Sequence, residues 1–238
     1  MRRRLRFRFY GELNDFLDRE QRGLSFAYEA GATDTLKHII ESLGVPHTEV
    51  GAVRTNGEPC PLDARPAEGD SIEVYPHETP VALDDARFVV DGHLGRLAAY
   101  LRMLGFDTWY RALADDEELA SVAASEHRVL LTRDAGLLKR RAVERGYFVR
   151  SDKPLDQLRE VNERFDLARS TKPFSRCMEC NAELQTVAKQ DIEDLLPPHT
   201  RATKTEFSRC TKCGRIYWRG SHYERMLGWI AELGQSAG

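Results

Sequence analysis

The chain has 238 residues, a formal net charge of −3 at pH 7, and 41% hydrophobic against 31% charged residues, a make-up ordinary for a soluble protein of one large domain or two to three small ones. No apolar run approaches the roughly 18 residues of a membrane helix. The basic start MRRRLRFRFY has neither an apolar h-region nor a small-residue cleavage site, so a cytoplasmic protein without a membrane partner is expected.

From Arg2 to Tyr75 the pattern predicts a small β-grasp unit of α+β type. LRFRFYGEL alternates apolar and polar residues as a half-buried strand does, and LSFAYEAGA supplies a second strand. Thr33 or Asp34 can cap a helix through Leu43, with Leu36, Ile39, Ile40 and Leu43 on one face and Gly44 as the stop. The Asn-Gly of TNGEPCP is a hairpin signal, and EGDSIEVYP reads as a turn into a closing strand. This order resembles the ubiquitin-like β-grasp domains of the sulfur-carrier type, which end in a free Gly-Gly tail that becomes thiocarboxylated. Here the strand runs on into YPHETPVALDDARF, so the expected role is recruitment of a protein partner or guiding of substrate rather than sulfur transfer. Cys60, between two prolines, is expected to be a bystander thiol, and Pro76, His77 and Pro80 mark a linker.

Beyond the linker, short strands alternate with helices of about ten residues, which predicts right-handed βαβ units and a parallel sheet. RFVV leads into a helix over LGRLAAYLRML, with Leu94, Leu97, Ala98, Leu101 and Leu104 on one face and Gly105 as the stop. FDTWY is a short strand. Asp115 can cap a helix from Asp116 to Glu126, with Glu118 placed for a capping box; RVLLT, a helix near Ala135 to Arg145 and the strand YFVR follow. PLDQLREVNERF is an amphipathic helix with Leu155, Leu158, Val161 and Phe165 on the face expected to pack on the sheet.

The apolar runs Phe88 to Val90 and Val129 to Thr132 read as strands buried on both faces, and open α/β sheets bind ligands beyond the carboxyl ends of such strands. Asp91 and Asp134 stand there, and Asp115 and Asp116 open a helix beside them. Carboxylates in that place suit Mg²⁺ or Mn²⁺, which take oxygen ligands and keep waters free for phosphate oxygens. Each aspartate also has a plain structural role, as helix cap or turn residue. His93 and Arg133 flank the acids, either as substrate contacts or as solvated side chains. The bases that follow, including Lys139, Arg140 and Arg141, suit a nucleic-acid backbone as well as a solvated helix face.

Four of the five cysteines form two Cys-x-x-Cys pairs, Cys177 with Cys180 and Cys210 with Cys213, separated by 29 residues. Four thiolates in that spacing suit one closed, tetrahedral, structural zinc; a redox dithiol is the other reading of either pair alone. Asn181 and Gly214 directly follow the knuckles and tolerate the left-handed backbone of a tight metal-binding turn. Around them Lys204, Arg209, Lys212, Arg215, Tyr217, Trp218 and Arg219 mix bases with aromatics, which can track phosphates and stack bases or can pack on a neighbouring domain. His222 is a spare ligand beside a full shell. The tail GWIAELGQSAG is expected to form a short helix and a frayed end.

The runs FVVDGHLGRLAAYLRMLGFDT and RVLLTRD, with SRCMEC, CTKCG and YWRGSHYERM, closely resemble the Mut-seven C-terminal ribonuclease family. That resemblance implies an α/β chain of three parts: a ubiquitin-like β-grasp domain over 1–80, a PIN-like parallel-sheet nuclease domain over 86–170, and a zinc ribbon with its C-terminal helix over 171–238. It implies a metal-dependent ribonuclease in which Asp91 and Asp134 match two PIN-domain acids. The acid between them is one of Asp115, Asp116, Glu117 and Glu118, with Asp116 preferred and Asp115 as cap, and Asp152 falls where a fourth acid is common. Arg133, Lys139, Arg140 and Trp218 are the expected RNA contacts. The rival reading is a non-catalytic RNA-binding or adaptor protein with a vestigial acidic site.

Overall fold

The computed structural model describes residues 2–235. The chain divides into two compact units, Met1–Val81 with Asp115–Phe148 and Ala82–Ala114 with Val149–Gly238.

Strand β1 (Arg2–Phe9) alternates as expected, burying Leu5, Phe7 and Phe9 and exposing the arginines between them. It pairs antiparallel with β2 (Ser25–Gly31). Helix α1 (Leu36–Ser42) packs Leu36, Ile39 and Ile40 onto the same core. Its cap is Thr35, not Thr33 or Asp34. The Thr35 hydroxyl accepts from the His38 amide at 3.3 Å, while Asp34 turns back to accept from the Gly31 amide at 2.7 Å. The helix therefore starts one or two residues later than the sequence suggests. The hairpin of β3 (Val50–Thr55) and β4 (Glu58–Pro59) turns at Asn56 and Gly57, both with positive φ, the geometry an Asn-Gly pair favours. Strand β5 (Ser71–Pro76) inserts parallel to β1, giving a mixed five-stranded sheet in the order β2-β1-β5-β3-β4, the arrangement expected of a β-grasp unit.

Strand β6 (Phe88–Val90) is wholly buried. Helix α2 (Gly95–Met103) follows with all five predicted apolar positions, Leu94 through Leu104, in the core, and Gly105 stops it at φ +96°, a backbone that side chains disfavour. It returns the chain to β7 (Thr108–Tyr110), parallel to β6. Next come α3 (Asp116–Ser125), the buried strand β8 (Val129–Thr132), α4 (Ala135–Leu138) and β9 (Gly146–Phe148), with β8 and β9 parallel. Both pairs are the predicted βαβ units. α4 is shorter than the expected helix to Arg145. After Leu138 the amides of Arg140 and Val143 bond three residues back, to Leu137 and Arg140. Those tight turns swing Val143 into the core.

Helix α5 (Pro154–Phe165) has the predicted span and buries Leu158, Val161 and Phe165, with the Phe165 ring 6.1 Å from that of Phe88 on β6. The C-terminal region is a three-stranded antiparallel sheet of β10 (Leu184–Val187), β11 (Phe207–Cys210) and β12 (Ile216–Trp218), with the short α6 (Pro198–Thr203) between its first two strands. Ile192, Leu196 and Phe207 form its small core. The final helix, α7 (Ser221–Gln235), is longer than the expected short tail helix. Tyr223 and Trp229 explain the early start: their rings pack on Phe174 at 4.3 Å and Tyr100 at 5.5 Å. The predicted frayed end lies outside the described residues. Among the described residues no helix is long and apolar enough to cross a membrane.

Candidate metal centre and acidic residues

The two Cys-x-x-Cys turns meet at the end of the three-stranded sheet, because β10 and β11 pair Leu184 with Cys210 in register. Each turn is closed by backbone bonds: the Asn181 amide to the Cys177 carbonyl at 2.9 Å and the Gly214 amide to the Cys210 carbonyl at 3.2 Å. Asn181 and Gly214 both take the left-handed backbone anticipated for them. All four sulfurs lie within 4.8 Å of one another, with Cys177 to Cys213 at 3.6 Å and Cys180 to Cys210 at 3.3 Å. Sulfurs at ~2.3 Å from a tetrahedral centre stand roughly 3.8 Å apart, so this set can hold one metal ion.

The electrostatics point the same way. Desolvation works against the Cys210 thiolate, but the amides of Cys213 and Lys212 donate to its sulfur and bring its pKa down to about 6. The Arg215 amide favours ionisation of Cys213, yet desolvation and the three neighbouring sulfurs hold its pKa at about 12. Four thiolates crowded this closely repel one another until a cation neutralises them. Tyr217, for which base stacking and packing were both open, turns its hydroxyl to the Cys177 sulfur at 3.1 Å, and burial followed by that contact raises its pKa. Trp218 remains on the surface at 37% exposure.

The first knuckle is bolted to α2 and β7. Arg102, only 4% exposed, donates from Nε to the Thr108 carbonyl at 3.0 Å and from Nη1 to the carbonyls of Glu179 at 2.7 Å and Met178 at 3.2 Å. Desolvation lowers its pKa, opposed by the Cys177 and Cys180 sulfurs. The Asn181 side chain accepts from the Thr108 amide at 2.9 Å and donates to Asp107 at 2.7 Å. Sequence reasoning missed Arg102, which reads as a solvated base on an amphipathic helix. Its place four residues after Ala98 and one after Leu101, on the edge of the apolar face, was the available signal.

Asp91 directly follows β6 and opens the 3-10 turn Gly92–Leu94 without a side-chain capping bond. Gly92 is required beside it, since a Cβ there would stand 2.5 Å from the Ala112 carbonyl oxygen. Asp91 belongs to one compact unit, and Asp115, Asp116 and Asp134 to the other. Asp115 caps α3, its Oδ1 accepting from the Glu118 amide at 2.8 Å. Asp116, beside it, faces Arg140 at 3.5 Å. Asp134 follows β8 and caps α4, with Oδ1 accepting from the amides of Gly136 at 2.6 Å and Leu137 at 3.3 Å. Lys139 is half-buried in a cavity of about 300 Å³ lined also by Lys37, His38, Glu41 and Arg141; burial lowers its pKa, opposed by Glu41 and Asp134. Arg133 and Asp152 are exposed. His222 lies in the first turn of α7 and is not among the clustered ligands.

Compared with known proteins, residues 86–230 match the family described as the Mut7-C RNAse domain, and residues 3–82 match the one described as Mut7-C ubiquitin. A search of curated proteins finds no match. Among solved structures, the crystal structure of SAMP1 from Haloferax volcanii aligns at 15% identity over 33% of this chain and 99% of that one, with a TM-score of 0.26.

Proposed function

The chain belongs to the Mut7-C RNAse domain family, with a Mut7-C ubiquitin-like domain in front, and from that premise we propose that it is a metal-dependent ribonuclease. In this reading a ubiquitin-like domain over 1–80 recruits a protein partner or guides substrate, a PIN-like nuclease domain covers 86–170, and a zinc ribbon with the C-terminal helix covers 171–238. The observation that carries it is the match to an RNAse domain that opens on a buried strand directly followed by Asp91.

Asp91, Asp116 and Asp134 would hold Mg²⁺ or Mn²⁺, with Asp152 as a further acid. Their oxygens suit a hard cation, and the capping bonds of Asp134 engage only Oδ1 of its two carboxylate oxygens. When bound, such an ion makes water a stronger nucleophile and neutralises the phosphate. The oxygen of water bonds to phosphorus, the bond from phosphorus to one ribose oxygen breaks, and that oxygen leaves with a proton. Asp115 serves as the cap of α3. Arg140 orients Asp116, Arg133 and Lys139 draw the phosphate backbone, and Trp218 offers a face to a base. Cys177, Cys180, Cys210 and Cys213 hold one structural zinc, with no open position for chemistry.

The test is incubation of the full chain with labelled single-stranded and structured RNAs, with Mn²⁺ or with EDTA, beside an Asp91→Asn, Asp134→Asn double variant. Cleavage should need Mn²⁺ and be lost in the variant; cleavage that persists in EDTA or in the variant refutes the reading. One observation favours a second reading, a non-catalytic RNA-binding adaptor. Asp134 as a cap and Asp116 beside Arg140 both have roles that require no metal. RNA binding without cleavage under any divalent ion would select it.

A further inference from the structure

The outward face of the ubiquitin-like sheet carries a row of arginines that the ribonuclease chemistry leaves unused. Arg2, Arg4, Arg6 and Arg8 alternate with Leu5, Phe7 and Phe9 along β1, and all four are exposed. Arg3, between them, is structural: it donates to the carbonyls of Gly31 at 2.6 Å and Asp34 at 3.0 Å and to that of Pro66. The outward arginines differ. Arg2 pairs at 3.2 Å with Glu29, which also lies opposite Arg4, and the Arg4 amide donates to the Glu68 carboxylate at 2.8 Å, but among the described residues the guanidinium groups of Arg4, Arg6 and Arg8 form no ion pair.

Their neighbours leave them approachable. Arg6 stands between Ala27 on β2 and Ser71 on β5, and Arg8 between Ser25 and Glu73. Glu73 is held by the Tyr10 hydroxyl at 2.7 Å. Arg8 lies 5.1 Å from the centre of the Tyr10 ring, which stacks on Tyr75 at 4.4 Å and 4°. Residues on one face of a strand recur every ~6.7 Å, so these guanidinium groups, with Glu29 opposite Arg4 and Glu73 opposite Arg8, form a strip of net positive charge. That step is comparable with the spacing of successive phosphates in a single strand. Guanidinium forks bind phosphate in two-point fashion, and open sheet faces carrying aromatics suit unpaired RNA.

We infer that this face binds the phosphate backbone of single-stranded RNA, so that the ubiquitin-like domain is a substrate-holding module. The inference rests on the ribonuclease reading for the identity of the polyanion. Its test uses the full chain carrying Asp91→Asn and Asp134→Asn, which keeps the RNA intact, and follows fluorescence anisotropy of a labelled single-stranded RNA across a salt series. Adding Arg4→Gln, Arg6→Gln and Arg8→Gln should weaken binding at low salt by about tenfold or more and flatten the log–log salt slope by about 2, since each single-strand phosphate contact contributes roughly 0.7. The corresponding triple Lys variant should keep the slope, and Arg6→Glu alone, folded by circular dichroism, should weaken binding more than Arg6→Gln. Wild-type affinity and slope in the triple Gln variant overturn the inference, as does a parent chain that does not bind RNA. Loss of binding to polyglutamate with RNA binding unchanged also overturns it and identifies an acidic protein as the occupant. Cleavage by the wild-type chain in Mn²⁺ is scored separately. A chain that binds RNA through this face and never cleaves loses only the ribonuclease reading. One that cleaves while the triple Gln variant binds at full strength loses only this inference.

Discussion

Arg102 Nη1 lies 2.7 Å from the carbonyl oxygen of Glu179, inside the first Cys-x-x-Cys turn, and its Nε is 3.0 Å from the carbonyl of Thr108. One buried side chain thus joins a helix, a strand and a cysteine turn. Replacing it by methionine keeps an unbranched apolar stem but leaves buried carbonyls without their donor. Arg102→Met is expected to destabilise the chain by about 2–4 kcal/mol. It should also speed loss of metal to a chelator, because the turn loses its support. Urea unfolding and a chromophoric chelator assay check both; a variant with unchanged metal retention would show that the knuckle holds its shape alone.

Metal analysis of the purified protein should give about one zinc per chain. Cys210→Ser should release it and lower the melting temperature by several degrees or more, because the four sulfurs staple β10 and β11 to the loops around them. Reactive thiols at Cys177, Cys180, Cys210 and Cys213 and no metal in the native chain would refute the site.

Asp134 and Asp115 separate capping from catalysis. Asn caps as well as Asp, so Asp134→Asn should change stability by less than about 0.5 kcal/mol while abolishing cleavage, whereas Asp134→Ala should cost about 1 kcal/mol in addition. Asp115→Ala should lose a similar amount of stability and retain cleavage, since its carboxylate serves the Glu118 amide. Loss of activity in Asp115→Ala at full stability would move the middle acid from Asp116 to Asp115. Denaturant midpoints read beside cleavage rates make the distinction.

Tyr10 offers a pH test of the ubiquitin-like sheet. Its hydroxyl donates to Glu73, and that bond, then desolvation, raises its pKa from 10.0 to about 12. Below pH ~10 the phenol is protonated in folded and unfolded chain alike and its contribution is fully present; as pH rises toward 12 the unfolded chain loses the proton first, so the contribution is lost. Difference ultraviolet titration of wild type against Tyr10→Phe should find one phenol ionising near pH 12, and Glu73→Gln should return it toward 10. A Tyr10 that titrates near 10 in the wild type would exclude the bond.

Much of this protein is readable in its sequence because the responsible forces are local. Alternation along β1, the apolar face of α2, the buried run of β8, the Asn-Gly turn and the span of α5 each follow from period, turn chemistry or propensity over a few residues. The paired cysteines announced a four-sulfur site because two matched knuckles have few other uses. Local signals misled where two residues compete for one role: Asp34 and Thr35 both suit a helix cap, and only the turn back to the Gly31 amide assigns Asp34 elsewhere.

Other features depend on partners distant in the chain. That the Glu49 carboxylate takes the Phe148 amide at 2.8 Å, and that the His47 ring meets Glu41 at 2.7 Å and the Val143 carbonyl at 2.9 Å, leaves no mark on either segment. The same is true of Arg102, whose charge predicts solvent and whose burial depends on carbonyls about 76 residues away. The sequence by itself determined which elements form, which faces are apolar and which cysteines act together, since those follow from spacing along the chain. Tertiary structure alone decided that Asp34 leaves the helix cap to Thr35, which arginine is buried under the cysteine turn and which arginines form no ion pair among the described residues of the sheet, because a polar group's role is set by the partners that folding brings to it.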